Sequence, residues 1–171
     1  MSGHSKWSSI KHKKGITDQK RGQLFSKLSK NITLAARNGS DPKTNNTLAN
    51  AIEQARAMNM PKDNIDRAIK KFSDKSSAQL QEVVVEAIGP GGVALRIKGV
   101  TDNSNRTITE LRKILTDHHA KMVQPRSIDW MFHTPAVISP EDHAKLDTLF
   151  EALDDQDDVD DVTSNLAEPT T

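Results

Sequence analysis

His4, Lys6, Trp7, Lys11, His12, Lys13 and Lys14, followed by Lys20 and Arg21, set a cation at every few positions around one flat aromatic ring. Lysine and arginine attract phosphate, and an indole offers a face on which an unpaired base can stack. The spacing therefore points to nucleic-acid contact; the alternative is a solvated arm whose Trp7 folds back onto its own helices. A second group of interest is Thr101-Asp102-Asn103-Ser104-Asn105-Arg106-Thr107. Its small polar residues can cap a helix, but Arg106 would then stand in the first turn, where a cation is mildly unfavourable. Arg106 is thus a candidate for an anion contact or for a carboxylate of the same chain.

The whole-chain charge conceals a strong asymmetry. A formal charge of +1 over 171 residues divides, near Lys75, into 16 Lys and Arg against 6 Asp and Glu before that point and 8 against 17 after it. A basic half seeks polyanions and an acidic half repels them, so the molecule should work from one end.

Several chemistries are excluded by residue type. With no cysteine, disulfides, thiolate zinc sites and thiol nucleophiles are ruled out. No G-x-S-x-G elbow or comparable signature is present, so no catalytic residues are assigned. The six histidines, His118-His119 among them, show no metal-binding spacing. The run Asp154-Asp155-Gln156-Asp157-Asp158-Val159-Asp160-Asp161 lacks the glycine of a calcium loop and reads as a solvated acidic turn. No metal and no cofactor is expected. No apolar run reaches the roughly 18 residues of a membrane span, and the start lacks the apolar core of a secretion signal. A soluble cytoplasmic protein is the expectation.

These residues require elements to hold them. Leu24, Phe25, Leu28, Ile32, Ala35 and Ala36 recur at spacings of three and four, predicting a helix from about Thr17 to Asn38-Gly39. A second helix fits Thr47 to Met58, and a third begins with Pro61 as its first residue. None could bury its apolar stripe alone, so a three-helix bundle is expected over residues 1–75. Ser73 to Gln79 is polar and aperiodic and reads as a linker. Over residues 80–171 the pattern becomes strand, strand, helix, strand, helix, strand: Val83 to Ile88, a hairpin turn at Gly89-Pro90-Gly91-Gly92, Val93 to Val100, a helix from Thr101 to His119, an alternating Ile128-Trp130-Phe132, a helix opened by Ser139-Pro140, and Val159 to Leu166. The fold class is α+β, an antiparallel sheet with two helices on one face.

Several of these motifs together are specific. Met1-Ser2-Gly3-His4-Ser5-Lys6-Trp7, Lys20-Arg21-Gly22, Asn59-Met60-Pro61-Lys62-Asp63-Asn64, Gly89-Pro90-Gly91-Gly92, Asn105-Arg106-Thr107 and Ser164-Asn165 closely resemble the YebC family, which includes the mitochondrial translational activator of cytochrome oxidase. The resemblance implies a non-enzymatic factor in gene expression, described for some members as a DNA-binding transcriptional regulator and for others as a ribosome-associated translation factor. Of the two, a ribosomal RNA partner is expected first and DNA second, because none of the three helices carries an obvious cluster of base-reading residues. Carried over by position, His4, Lys6, Trp7, Lys11, His12, Lys20 and Arg21 would form the nucleic-acid-facing arm, with Asn59 to Lys62 a second loop of the same face. The chain departs from the family pattern at Asn45-Asn46-Thr47-Leu48-Ala49, where two expected cations are missing, and at Ile88, where an aromatic is common. It also passes from the segment around Trp130 almost directly to Ser139, and so reads as a short member without an inserted third domain.

Overall fold

The computed structural model describes residues 17–167, which divide into two compact units: 17–82 with 100–104, and 83–99 with 105–167. Of the predicted arm, His4, Lys6, Trp7, Lys11, His12, Lys13 and Lys14 lie outside the described residues.

The first unit is helical. Helix α1 (Asp18–Ala35) starts where Thr17 turns extended and its hydroxyl accepts a hydrogen bond from Lys20 N at 3.3 Å, satisfying one of the orphan donors of a helix start. A 3-10 turn (Ala36–Asn38) ends at Gly39, whose φ of 132° a side chain would resist. Helix α2 (Asn46–Ala57) is capped by Asn45: its Oδ1 accepts from Leu48 N at 3.1 Å while its amide donates to Ala35 O and Gly39 O, each at 2.8 Å. One buried side chain thereby closes the end of α1 and opens α2. Helix α3 (Lys62–Lys70) follows, with Pro61 as its cap, one place earlier than the sequence suggests. Pro61 stays extended at ψ 144° while its carbonyl already accepts from Ile65 N at 3.2 Å. Leu28, Ile32, Leu48, Ile52, Ala55, Met60, Ile65 and Ala68 form one core, and the Thr33 hydroxyl donates to Ala68 O at 2.8 Å inside it.

The expected linker is ordered. Residues Lys71–Ser73 and Lys75–Gln79 form 3-10 turns, and the Arg37 guanidinium donates to Ser77 O and to Leu80 O, tying this stretch to the end of α1. Polar composition marked a break in periodicity here; the carbonyls it exposes are held by a cation from 40 residues away.

The second unit is a four-stranded sheet in the order β3-β1-β2-β4, built from β1 (Gln81–Ile88), β2 (Ala94–Thr101), β3 (Lys121–Val123) and β4 (Val159–Ser164). β1 and β2 occupy the centre, and β3 and β4 pair antiparallel on the two edges. The turn between β1 and β2 needs glycine at position 91, where φ is 70° and a Cβ would stand 2.6 Å from Ile138 Cγ2. Helices α4 (Ser104–Asp117) and α5 (Pro140–Asp155) cover one face, packing Leu111, Leu115, Leu146, Leu149, Phe150 and Leu153 against Val83, Val85, Ala87, Val93, Leu95 and Ile97. Ser139 caps α5, accepting from Asp142 N at 3.1 Å, with Pro140 at the first helical position.

The sheet corrects one expectation. Ile128, Trp130 and Phe132 are not a strand; Asp129–His133 forms a 3-10 helix, and the third strand is the three-residue β3 just upstream. Alternation implies a shared face, yet Ile128 is 4% exposed and Trp130 68% exposed. A turn at Pro125 and Arg126 (φ 66°) intervenes, and Arg126 N donates to Glu86 Oε2 at 2.6 Å. Asp129 is then captured by Arg96 of β2, whose guanidinium also lies 4.6 Å from the Phe132 ring centre. Those long-range polar contacts outweigh a local period of two.

Candidate nucleic-acid interface

Four of the predicted cations occupy helix starts. Lys20 and Arg21 lie in the opening turns of α1, Lys62 is the first residue of α3 and Arg106 lies in the first turn of α4. The partial positive charge of a helix N-terminus disfavours cations there, so helix stability does not explain them. A carboxylate explains part of two. Arg21 pairs with Asp18 at 3.5 Å, both well exposed, and Arg106 meets Asp158 Oδ2 at 3.2 Å and Glu110 at 4.0 Å. Of the two uses open to Arg106, the intramolecular one is realised, although its side chain remains 46% exposed.

Asn59 and Lys62 share the tight turn between α2 and α3. Asn59 is left-handed (φ 59°), a conformation asparagine tolerates better than most residues. Its N–H donates to Arg56 O at 2.9 Å, and Met60 N returns to Ala55 O at 3.0 Å, which drives Met60 into the core. The turn thus has a structural reason, and it projects exposed Asn59, Pro61 and Lys62 side by side. Beyond it, α3 adds exposed Arg67 and Lys70, and Lys71 follows in the next turn. Among the described residues Lys62, Arg67, Lys70, Lys71 and Arg56 form no ion pair. Sequence reading singled out Lys62 alone of these five as a nucleic-acid contact.

The acidic run is less solvated than its composition suggests. Asp158 is 5% exposed, and its Oδ2 accepts from the Thr107 hydroxyl at 2.7 Å and from Arg106. Gln156 Oε1 accepts from Asp158 N at 2.7 Å and from Val159 N at 2.9 Å. Burial is enforced by Gly99, where a Cβ would stand 2.2 Å from Asp158 O. The Asn105-Arg106-Thr107 motif and the acidic turn, 51 residues apart, are therefore one network. Among the described residues no group of three or more His, Asp or Glu is placed to hold a metal, and no helix is long and apolar enough to cross a membrane.

Comparison with known proteins agrees with these motifs. The family model described as the TACO1/YebC protein N-terminal domain matches residues 5–75, and that of the TACO1/YebC second and third domain matches residues 80–141. A probable transcriptional regulatory protein of Trichlorobacter lovleyi is 48% identical over 154 residues, covering 89% of this chain and 62% of that protein. One of Pseudothermotoga lettingae, bearing the same description, is 44% identical over 170 residues, 92% of this chain and 67% of the relative. The chain thus spans about three-fifths of the length of such relatives. Among solved structures, a conserved hypothetical protein from Aquifex aeolicus aligns with a TM-score of 0.82 at 28% identity over 98% of both chains.

Proposed function

Because the chain belongs to the TACO1/YebC family, we propose that it is a non-enzymatic regulator of gene expression that binds nucleic acid through its basic first 75 residues. The observation that carries this reading is the set of exposed cations on the α2–α3 turn and α3 that form no ion pair among the described residues, while the buried polar groups Asn45 and Thr33 of the same unit serve capping and core contacts. Cations that stabilise nothing within the fold are available to phosphate, and each contact to a duplex releases counterions and steepens the salt dependence of binding. The described relatives are named probable transcriptional regulatory proteins, which supports DNA as the target.

A second reading, a ribosome-associated translation factor bound to ribosomal RNA, is favoured by one feature of α3. Asp63 and Asp66 interrupt its exposed cations, a poor surface for the major groove of a duplex but compatible with backbone contacts to folded RNA. Sedimentation through sucrose gradients at low and raised salt, beside promoter footprinting, separates the two. The Lys11, Lys13, Lys14 and Lys20 to Glu reversal serves as control in both. Co-migration with ribosomes that the reversal abolishes supports the translation reading, and a footprint with free protein in the gradient supports transcription. Failure to bind either nucleic acid would overturn the proposal.

A further inference from the structure

We propose that Trp130, with Arg126 beside it, is a second nucleic-acid contact, a stacking platform for one unpaired base. This inference rests on the nucleic-acid reading above and extends it to the acidic unit, which that reading leaves without a part in binding.

The placement of Trp130 is costly unless it is used. Burial of a large aromatic side chain is favourable, yet the indole is 68% exposed while its neighbours are held down. Ile128 is 4% exposed, Asp129 is gripped by Arg96, and Phe132 lies beneath the same guanidinium. Arg96 is in turn fixed by Glu86, buried at 4%, through bonds of 2.7 and 2.8 Å. A short 3-10 turn pinned on both sides of Trp130 leaves the ring no path into the core and little backbone freedom to lose on binding. That is preorganisation of an aromatic face toward solvent.

Local charge selects the occupant. Although the chain after Lys75 carries 17 acids against 8 bases, the stretch 118–134 holds Lys121, Arg126 and three histidines against one acid, Asp129. That acid is neutralised by Arg96 and by Arg126, which faces it at 3.6 Å with its own side chain 89% exposed. An exposed indole, a cation one turn away and exposed Gln124 and Ser127 match a base followed by its phosphate. A hydrophobic partner surface would be better met by several apolar side chains around Trp130, but the exposed residues nearest to it in the chain are Arg126, Ser127, His133 and Thr134, and the one other large apolar side chain exposed in the segment is Val137, seven residues away. Duplex DNA offers no free base face, so the site should prefer single strands.

The test uses the full chain and the fact that it has two tryptophans, Trp7 and Trp130. In W7F, Trp130 is the sole indole; its fluorescence is titrated with a ten-nucleotide oligothymidylate and with a duplex of equal length, while anisotropy of a labelled oligonucleotide reports total binding. The expected result is saturable quenching by the single strand and little by the duplex. In an otherwise native chain W130A should weaken single-strand binding about tenfold, or about 1.4 kcal/mol, W130F should recover most of it, and R126A should lower the salt dependence. Binding seen by anisotropy with no quenching of Trp130 overturns this inference and leaves the proposed function intact. No binding of either oligonucleotide by the native chain, read by anisotropy, overturns the proposed function itself. A concentration-dependent dimer abolished by W130A would overturn the inference about Trp130, assigning the ring to a protein contact.

Discussion

The two units treat their cations in opposite ways. In the helical unit Arg56, Lys62, Arg67, Lys70 and Lys71 stand exposed and, among the described residues, without an ionic partner. After Lys75 the chain has only eight basic residues, and five of them, Arg96, Arg106, Lys113, Arg126 and Lys145, meet a carboxylate. Three of these pairs are exposed helix pairs or turn pairs that contribute little to stability. The buried ones are different in kind: Glu86 and Asp158 are each about 5% exposed and anchor chain segments across the sheet. Net charge alone would have predicted a basic and an acidic surface. The structure adds that five exposed cations of the helical unit form no ion pair among the described residues, whereas most cations of the sheet unit meet a carboxylate within it.

The strongest way to break that contrast is to remove an internal cation. Arg96→Ala leaves the Glu86 carboxylate buried with, among the described residues, only Arg126 N as a donor, and removes one cation from Asp129. Loss of one partner of a buried pair costs about 3 kcal/mol, measured by urea denaturation of the full chain. A loss below about 1 kcal/mol would mean that Arg96 is no more committed than the cations of α3. Gly99→Ala comes next, because the clash with Asp158 O is with backbone and cannot be relieved by a rotamer. An expected loss of about 2 kcal/mol should be accompanied by weakened protection of the Asp158 amide in hydrogen exchange.

Such contacts explain which features were legible in the sequence. The caps made by Thr17, Asn45 and Ser139 each reach a backbone N–H three residues on, and of these only Ser139, together with the Gly39 stop, was readable from residue type and offset. The apolar stripes of α1, α2, α4 and α5 were equally plain, since each repeats at a helical period over several turns. The Thr107–Asp158 bond spans 51 residues and the Arg96–Asp129 contact 33, and no periodicity encodes either. For that reason Ile128-Trp130-Phe132 spelled a strand that the fold declines, and Lys121-Met122-Val123, three residues long, showed no alternation at all. Within the candidate interface the chemistry of Lys20, Arg21 and Lys62 was visible as residue type. That Arg106 would close on Asp158 depended on a turn whose burial only Gly99 permits.

The helical side of the comparison predicts the reverse pattern: small effects on stability, large ones on binding. Reversal of Lys62, Arg67 and Lys70 to Glu places a favourable charge at the start of α3 and an unfavourable one at its end, so the net change in stability should stay under about 1 kcal/mol. If all three meet phosphate on duplex DNA, the slope of log affinity against log salt should fall by about 2.7, at about 0.9 per contact. Unchanged affinity and slope would show that the exposed cations of α3 are surplus to binding, and would confine the proposed interface to residues before α3.

The smallest effect sharpens the sheet side. Lys145 donates to Glu141 Oε1 at 2.7 Å across one turn of α5, and this hydrogen bond, with the charge of Glu141 behind it, raises the lysine above its ordinary value against a small opposing desolvation. A raised value in the folded state means that the proton is held more tightly there than in the unfolded chain. Its stabilising contribution is complete at pH below the ordinary lysine value and disappears as pH rises through the folded one. Nitrogen-detected NMR titration of Lys145 should therefore report a value above that of an unpaired lysine, with E141Q bringing it down. If E141Q leaves the titration where it was, this exposed pair is geometry without energy, and the contrast between the units narrows to Glu86 and Asp158, where burial forces a charge to be met.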